Sequence, residues 1–225
     1  MKISKQTLKS YDSTYKNGYD KDYPSLELVR IEKIFFKTKG NVLDYGCGPG
    51  TNGIHFLKKG YPVTFCDISD FALKKTKQKI LKLKIKKNFR LINITKNKNF
   101  FKNNLNYFDY VICFSVFNNF QQKEIAIKYV KKFQLLLKQN GKLIIDSNLK
   151  NKNNYKVVDK KRNIFTTNHN NSFNLKMFFP NRNEFIEMIK NSGFKICDIG
   201  YSNFKVFGSY EKEIIISAVK LWLKK

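Results

Sequence analysis

Two carboxylates and a run of glycines are the residues of this chain whose types and spacing could support chemistry. Residues 41–53 read NVLDYGCGPGTNG, and Asp44 directly precedes the glycine-rich part. Glycines at 46, 48 and 50 permit positive φ, so backbone amides and a following helix N-terminus can approach a ligand closely. Since open α/β sheets bind ligands at the carboxyl ends of their strands, we expect a nucleotide-like cofactor beside Asp44.

Asp67 is the second carboxylate, and it follows the apolar run 61–66, which predicts a strand. A carboxylate at that place can accept hydrogen bonds from both hydroxyls of a ribose. Gly48, Gly50 and Gly53 also satisfy the Gly-x-Gly-x-x-Gly dinucleotide fingerprint, a weak signal alone. A nicotinamide-dependent enzyme therefore remains an alternative interpretation of these residues. A Tyr-x-x-x-Lys pattern at 201–205 fits it poorly, because it falls in a predicted strand near the C-terminus.

Alternating strands and helices must position these residues. The apolar runs predict strands at 41–45, 61–66, 89–93, 108–114 and 141–147, with segments between them that are long enough for crossover helices. Such an order predicts an α/β fold with a doubly wound parallel sheet.

The sequence divides into four predicted parts. We expect an N-terminal helical cap or lid at 1–40, a core at 41–150, an insertion on the substrate side at 151–180, and a C-terminal helix and β-hairpin at 181–225. In the cap, Ser25 is a helix start signal. In the insertion, apolar residues at 155–158 and 163–167 predict a small hairpin or a flap.

The charge balance is strongly basic. There are 44 Lys+Arg against 17 Asp+Glu, which gives 44 − 17 = +27. Such a field can attract nucleic acid. The basic residues are nearly all lysine, however, and asparagine, isoleucine and phenylalanine abound, as AT-biased coding produces. The lysines at 74–87 fall on the outer face of a predicted helix, without interleaved aromatic residues that would stack on bases. We interpret them as a solvated surface.

The cysteines and histidines predict no metal site. Cys47, Cys66, Cys113 and Cys197 form no Cys-x-x-Cys pair, and His55 and His169 lack metal-ligand spacing. No run approaches the roughly 20 apolar residues of a membrane span, and the N-terminus lacks a signal-peptide core. We expect a cytoplasmic protein.

Several motifs resemble those of class I S-adenosylmethionine (SAM)-dependent methyltransferases. The stretch Asp44-x-Gly-x-Gly-x-Gly and the acid Asp67 are similar to the family's first motif and its successor. Residues 108–117, FDYVICFSVF, resemble its fourth strand, and 135–145, LLLKQNGKLII, its helix, turn and fifth strand. Residues 181–194 resemble a late helix of small-molecule members. The resemblance implies a Rossmann-like, mostly parallel seven-stranded sheet, a C-terminal antiparallel hairpin and helices on both faces.

The resemblance also implies where SAM binds. Asp44 would orient the glycine loop and bond the amino group, Asp67 would hold the ribose, and Ile68 would pack on the adenine. Phe114 would line the site through its backbone carbonyl, and Asn93 stands where many members have an acid. The full set of expected cofactor-binding residues is Tyr15, Asp44, Tyr45, Gly46, Cys47, Gly48, Gly50, Asp67, Ile68, Asn93, Ile94, Phe114 and Ser115.

Candidate catalytic residues are fewer. Methyl transfer is an in-line displacement, in which the protein mainly positions the acceptor and excludes water. A general base would help transfer to a hydroxyl acceptor, and His169 is the side chain with the most suitable pKa for that role. A histidine at such a position is, however, more often an exposed loop residue without a catalytic role. Tyr19 and Asn118 complete the catalytic candidates. Tyr11, Tyr19, Asn118 and Asn119 are the expected substrate contacts, and Tyr11, Tyr15 and Tyr19 are equally consistent with a lid and with ordinary packing.

The predicted function is methyl transfer from SAM, which becomes S-adenosylhomocysteine, to an oxygen or nitrogen atom of a small polar metabolite such as a sugar or sugar nucleotide. An RNA methyltransferase is the alternative that the net charge of +27 motivates, although nucleic acid is not the favoured partner. A second alternative is a non-catalytic module that binds SAM.

Overall fold

The computed structural model describes residues 5–148, 155–167, 175–206 and 209–220. The helices are α1 (Lys5–Lys16), α2 (Leu26–Phe35), α3 (Thr51–Lys58), α4 (Asp70–Lys82), α5 (Phe100–Asn103), α6 (Lys123–Leu136) and α7 (Arg182–Lys190), with a 3₁₀ turn at Phe117–Phe120. The strands are β1 (Val42–Tyr45), β2 (Val63–Asp67), β3 (Phe89–Asn93), β4 (Phe108–Cys113), β5 (Leu137–Asn148), β6 (Tyr155–Asp159), β7 (Ile164–Thr167), β8 (Lys176–Phe178), β9 (Phe194–Val206) and β10 (Ser209–Lys220).

Seven of the strands form one sheet, in the order β3-β2-β1-β4-β5-β10-β9. The pairs among β1 to β5 are parallel, and β10 runs antiparallel to both β5 and β9. The strand order reverses between β1 and β4, so the carboxyl ends of these two strands form the crevice in which doubly wound sheets bind ligands. The predicted fold class is confirmed.

Helices cover both faces of the sheet, as a parallel sheet requires. On one face, α2, α3 and α4 contribute the core residues Leu28, Phe56 and Ile80. On the other face, α6 and α7 contribute residues such as Phe133 and Phe185. All side chains of β1 and β2 are buried between these layers, which explains their continuous rather than alternating apolar sequence.

Three local features differ from the expectations. The predicted hairpin of the insertion forms from β6 and β7, and β8 adds a third strand to it. The connection from β3 to β4 carries only the short helix α5. Strand β5 begins at Leu137, directly after α6, and not near Gly141. Its pairing with β4 is irregular between Phe108 and Tyr110, and this irregularity accommodates the additional residues 138–141 of β5.

Over the described ranges, no helix combines the length and the apolar character that crossing a bilayer requires. The same ranges contain no group of three or more His, Cys, Asp or Glu side chains arranged to hold a metal ion.

Candidate cofactor and active site

The glycine loop between β1 and α3 takes the conformation that its glycines permit. Gly46, Gly48 and Gly50 all have positive φ, at 71°, 52° and 80°. Close packing adds a second constraint, because a Cβ on Gly46 would lie 2.3 Å from Val116 Cγ2 and one on Gly50 would lie 2.4 Å from Thr76 Cγ2. Any larger residue at either position would therefore strain the backbone and collide with a packed side chain.

Asp67 lies at the end of β2 with 6% of its surface exposed. Its Oδ2 atom accepts the Gly48 backbone N–H at 2.8 Å, and its Oδ1 atom accepts that of Ser69 at 2.9 Å. Burial raises the pKa of Asp67, and these backbone hydrogen bonds oppose that rise. A carboxylate has about four acceptor positions, so Asp67 can hold the glycine loop and still accept hydroxyl groups of a ligand.

Asp44 lies behind the loop, not in the cavity in front of it. Its Oδ2 atom accepts the backbone N–H of Gly53 at 2.8 Å, in the first turn of α3. Burial raises the pKa of Asp44 to about 7, with a further contribution from the nearby charge of Asp67. Asp44 thus fixes the start of α3, where a negative charge also interacts favourably with the helix dipole.

A cavity of about 180 Å³ opens between the carboxyl ends of the strands and α1. Nine of the predicted site residues line it: Tyr11, Tyr15, Tyr45, Gly46, Asp67, Ile68, Ile94, Ser115 and Asn119. The lining also contains seven residues that the sequence analysis missed: Thr7, Cys66, Val116, Phe120, Gln121, Ile125 and Tyr129. From their sequence positions, Ile125 and Tyr129 are expected only to pack against the sheet as part of a helix. No sequence pattern distinguishes them from other core residues.

Helix α1 forms the roof of this cavity. Gln121 Nε2 donates to Thr7 Oγ1 at 3.2 Å, and the hydroxyl of Ser69 donates to the carboxylate of Asp12. The Tyr15 hydroxyl oxygen lies 3.0 Å from the position that a Cβ on Gly48 would occupy. Burial raises the pKa of the Tyr15 phenol, with a further contribution from Asp67. These contacts place α1 directly on the glycine loop and on the first turn of α4.

The segment after α1 continues across the protein surface. Lys79 forms an ion pair with Asp20 and donates to the backbone carbonyl of Lys21. The Thr51 hydroxyl also donates to that carbonyl, at 2.7 Å. The described N-terminal segment is therefore attached to the protein on both sides of the glycine loop.

Several predicted site residues lie away from the cavity wall. Asn118 is buried, its Nδ2 atom donates to the Phe178 carbonyl at 2.9 Å, and its Oδ1 atom accepts the Asn148 N–H at 2.9 Å. Tyr19 is 48% exposed. Asn93 donates to the Ile68 carbonyl and to Asp70. Asp44, Cys47, Gly48, Gly50 and Phe114 also lie outside the lining. His169 lies outside the described residues.

The family comparison agrees with this geometry. A family model described as a methyltransferase domain matches residues 43–143, which span the glycine loop and both carboxylates. No curated protein sequence matched the chain.

Solved structures with the same fold come from several organisms. A SAM-dependent methyltransferase from Methanosarcina mazei has a TM-score of 0.72 at 17% identity, over 85% of this chain and 97% of its own. The 1,6-didemethyltoxoflavin-N1-methyltransferase of Burkholderia thailandensis has a TM-score of 0.68 at 16% identity, over 98% and 92% of the two chains. The magnesium protoporphyrin IX methyltransferase of Synechocystis has a TM-score of 0.56 at 17% identity, over 96% and 80%. At these identities the likeness concerns the fold.

The domain match and the fold together define a class of protein. Residues 43–143 match a methyltransferase domain, and the chain has the fold of class I SAM-dependent methyltransferases. The Burkholderia structure holds S-adenosylhomocysteine, and the Synechocystis structure holds the methyl donor SAM. The residues present fit this donor, because Gly46 of the glycine loop and the buried carboxylate of Asp67 line the cavity at the carboxyl ends of the strands.

Proposed function

We propose that this protein transfers the methyl group of SAM to an oxygen or nitrogen atom of a small polar metabolite, by in-line displacement. A sugar or a sugar nucleotide is the acceptor class that we favour. The observation that carries this proposal is the roof that α1 forms over the cavity, with Thr7, Tyr11 and Tyr15 in the lining. A small acceptor fits beneath such a roof, whereas a folded RNA needs an open surface.

The cavity volume supports a moving roof. Ligand pockets usually measure roughly 300–1,000 Å³, and the cavity here measures about 180 Å³. Entry of donor and acceptor would therefore require α1 to move outward and close again. In this proposal residues 1–40 act as a lid on the core at 41–150, the insertion at 151–180 lies on the acceptor side, and residues 181–225 complete the sheet.

We assign the donor contacts as follows. The backbone of Gly46 to Gly50 would pass the methionine part of SAM, and Asp67 would hold its ribose. Ile68 and Ile94 would pack against the adenine. Asp44 would act through the loop that it orients, because it bonds Gly53 from behind. Bound SAM supplies an electrophilic methyl group.

The protein's own contribution to the reaction would be positioning and exclusion of water. Ser115 and Asn119 line the cavity at the exit of β4 and are suited to orient an acceptor. The Asn118 amide would act indirectly, since its hydrogen bonds hold the 3₁₀ turn in place. His169 stays the candidate general base for a hydroxyl acceptor.

A transfer assay tests the proposal and its alternatives. The protein is incubated with SAM that carries a labelled methyl group and with a cell extract divided by size into metabolites and RNA. We expect label in the metabolite fraction. Label in RNA alone would favour the RNA methyltransferase that the net charge of +27 motivates. Binding of SAM with no labelled product in either fraction would favour a non-catalytic module.

A further inference from the structure

The chain leaves β4 through a backbone conformation that is unusual for its residue. Ser115 has φ 58°, in the left-handed region that a Cβ atom disfavours. Four of the six other described non-glycine residues with positive φ are asparagines, whereas Ser115 and Gln121 line the cavity on either side of the 3₁₀ turn. Strained backbone of this kind persists only where the surroundings impose it.

Asp146 is the group that holds Ser115. It lies on β5 with 1% of its surface exposed, and its two carboxylate oxygens accept the Ser115 backbone N–H at 2.7 and 2.9 Å. Hydrogen bonds to a carboxylate are stronger than those between neutral groups, and more so away from water. The bond is thus well suited to offset the backbone strain.

The residues after Asp146 hold the next part of the same loop. The Asn148 backbone N–H donates to Asn118 Oδ1 at 2.9 Å, and Asn118 Nδ2 donates to the Ser147 hydroxyl at 3.2 Å. The Asn119 side chain donates to the Ser115 carbonyl at 3.2 Å. The end of β5 therefore fixes the whole turn that follows β4.

The position of this turn determines which side chains line the cavity. Ser115, Val116 and Asn119 all line it. Val116 packs so tightly on the glycine loop that a Cβ on Gly46 would lie 2.3 Å from its Cγ2 atom. A shift of Ser115 would move Val116 across the loop that, under the proposed function, holds the donor.

We propose that Asp146 is a positioning residue of this methyltransferase, which acts through Ser115 by holding the exit of β4 in the geometry that donor binding requires. The inference rests on the proposed cofactor site. It assigns a role to a carboxylate that lies outside the cavity lining and accepts the backbone N–H of a lining residue, Ser115.

Calorimetric titration with SAM tests this role. Asp146→Ala leaves the Ser115 N–H without its acceptor, so we expect the Kd for SAM to rise about tenfold or more. Asp109→Ala is the matched control, since Asp109 also accepts a backbone N–H, that of Asn41 at 2.7 Å, but at the amino end of the sheet. We expect the control to keep the SAM affinity of the wild type even if its melting temperature falls.

A second substitution separates positioning from general stabilisation. Glycine adopts the left-handed conformation without strain, so adding Ser115→Gly to Asp146→Ala should restore most of the SAM affinity. If Asp146→Ala does not fold, Asp146→Asn, which keeps one acceptor oxygen, should show a smaller loss that Ser115→Gly also reverses. The proposal is overturned if the Asp146 and Asp109 variants bind SAM equally well, or if glycine rescues nothing. A wild-type protein that binds no SAM would instead reject the proposed cofactor site itself.

Discussion

At the residue scale, the two buried carboxylates divide the work of the site. Asp67 faces the cavity while its oxygens also accept the backbone N–H groups of Gly48 and of Ser69, directly before α4. Asp44 accepts the backbone N–H of Gly53 and lies behind the loop. The ionised form of either carboxylate would favour a positively charged donor, because a buried charge is screened less than a charge in water. Their spacing in the sequence suggests a common role in ligand binding, but the structure gives them different surroundings.

Replacing Asp67 tests its role directly. Asp67→Ala should raise the Kd for SAM by at least about tenfold, because each lost charge-assisted hydrogen bond usually costs about 1.5–3 kcal/mol. Calorimetry measures the affinity, and circular dichroism checks the fold. Asp70→Ala is the control, since Asp70 lies three residues further on, at the surface, in an ion pair with Lys96. Unchanged SAM affinity in the Asp67 variant would remove this carboxylate from the site.

The pKa of Asp44 predicts a pH dependence. Its pKa of about 7 in the folded protein lies above the ordinary value of 3.8. The folded state therefore binds more protons between about pH 4 and 7, and the free energy of unfolding should fall as pH rises through that window. A cationic donor favours the ionised form, so SAM affinity should rise up to about pH 7 and then level off.

Proton release upon binding measures this coupling. Calorimetry in two buffers of different ionisation heat should detect protons released at pH 6 and almost none at pH 8.5. Asp44→Asn should remove the contribution of this group. An equal proton count at both pH values in the wild type would contradict the assignment of a raised pKa to Asp44.

At the element scale, α1 is the helix with the largest expected effect on turnover. Its residues Thr7, Tyr11 and Tyr15 line the cavity, yet α1 lies outside the segment that the methyltransferase family model matches. Most of the sheet core, by contrast, is built from residues beyond position 41. The lid role is thus assigned to a helix that contributes no described residue to the two core clusters.

Removing residues 1–24 should abolish methyl transfer while the sheet stays folded, because water would enter the open site. Labelled methyl transfer measures activity, and far-ultraviolet circular dichroism measures the fold. A milder pair of variants is Tyr15→Ala, which removes a cavity contact, and Tyr23→Ala, which alters a side chain that is 73% exposed. Only the first should lower activity. Full activity of the truncated protein would reject the lid.

At the scale of the whole molecule, the net charge of +27 predicts non-specific attraction to polyanions. Such binding releases counterions, so it weakens steeply with salt. We expect retention on RNA at about 50 mM salt and little retention at about 200 mM, whereas SAM affinity should change far less between these concentrations. Filter binding and calorimetry measure the two quantities. RNA binding that survives the higher concentration would favour the RNA methyltransferase alternative.

The sequence alone determined those features of this protein that depend on residues close together in the chain. The glycine loop, the two carboxylates and the order of strands and helices follow from local patterns, because backbone conformation and hydrophobic period are local properties. The family resemblance added the arrangement of the sheet. Nine residues of the cavity lining were predicted in this way.

The tertiary structure decided which distant residues share the site. Gln121 bonds Thr7 across 114 positions, and Asp146 bonds Ser115 across 31. Nothing in the local sequence of Asp146 marks it, since an acid near the end of a strand has no fixed partner until the neighbouring strand is in place. For the same reason Asn118, a reasonable candidate for catalysis from its position after β4, proved to bond β5 and β8. Pairing between strands is a long-range property, and only the folded chain specifies it.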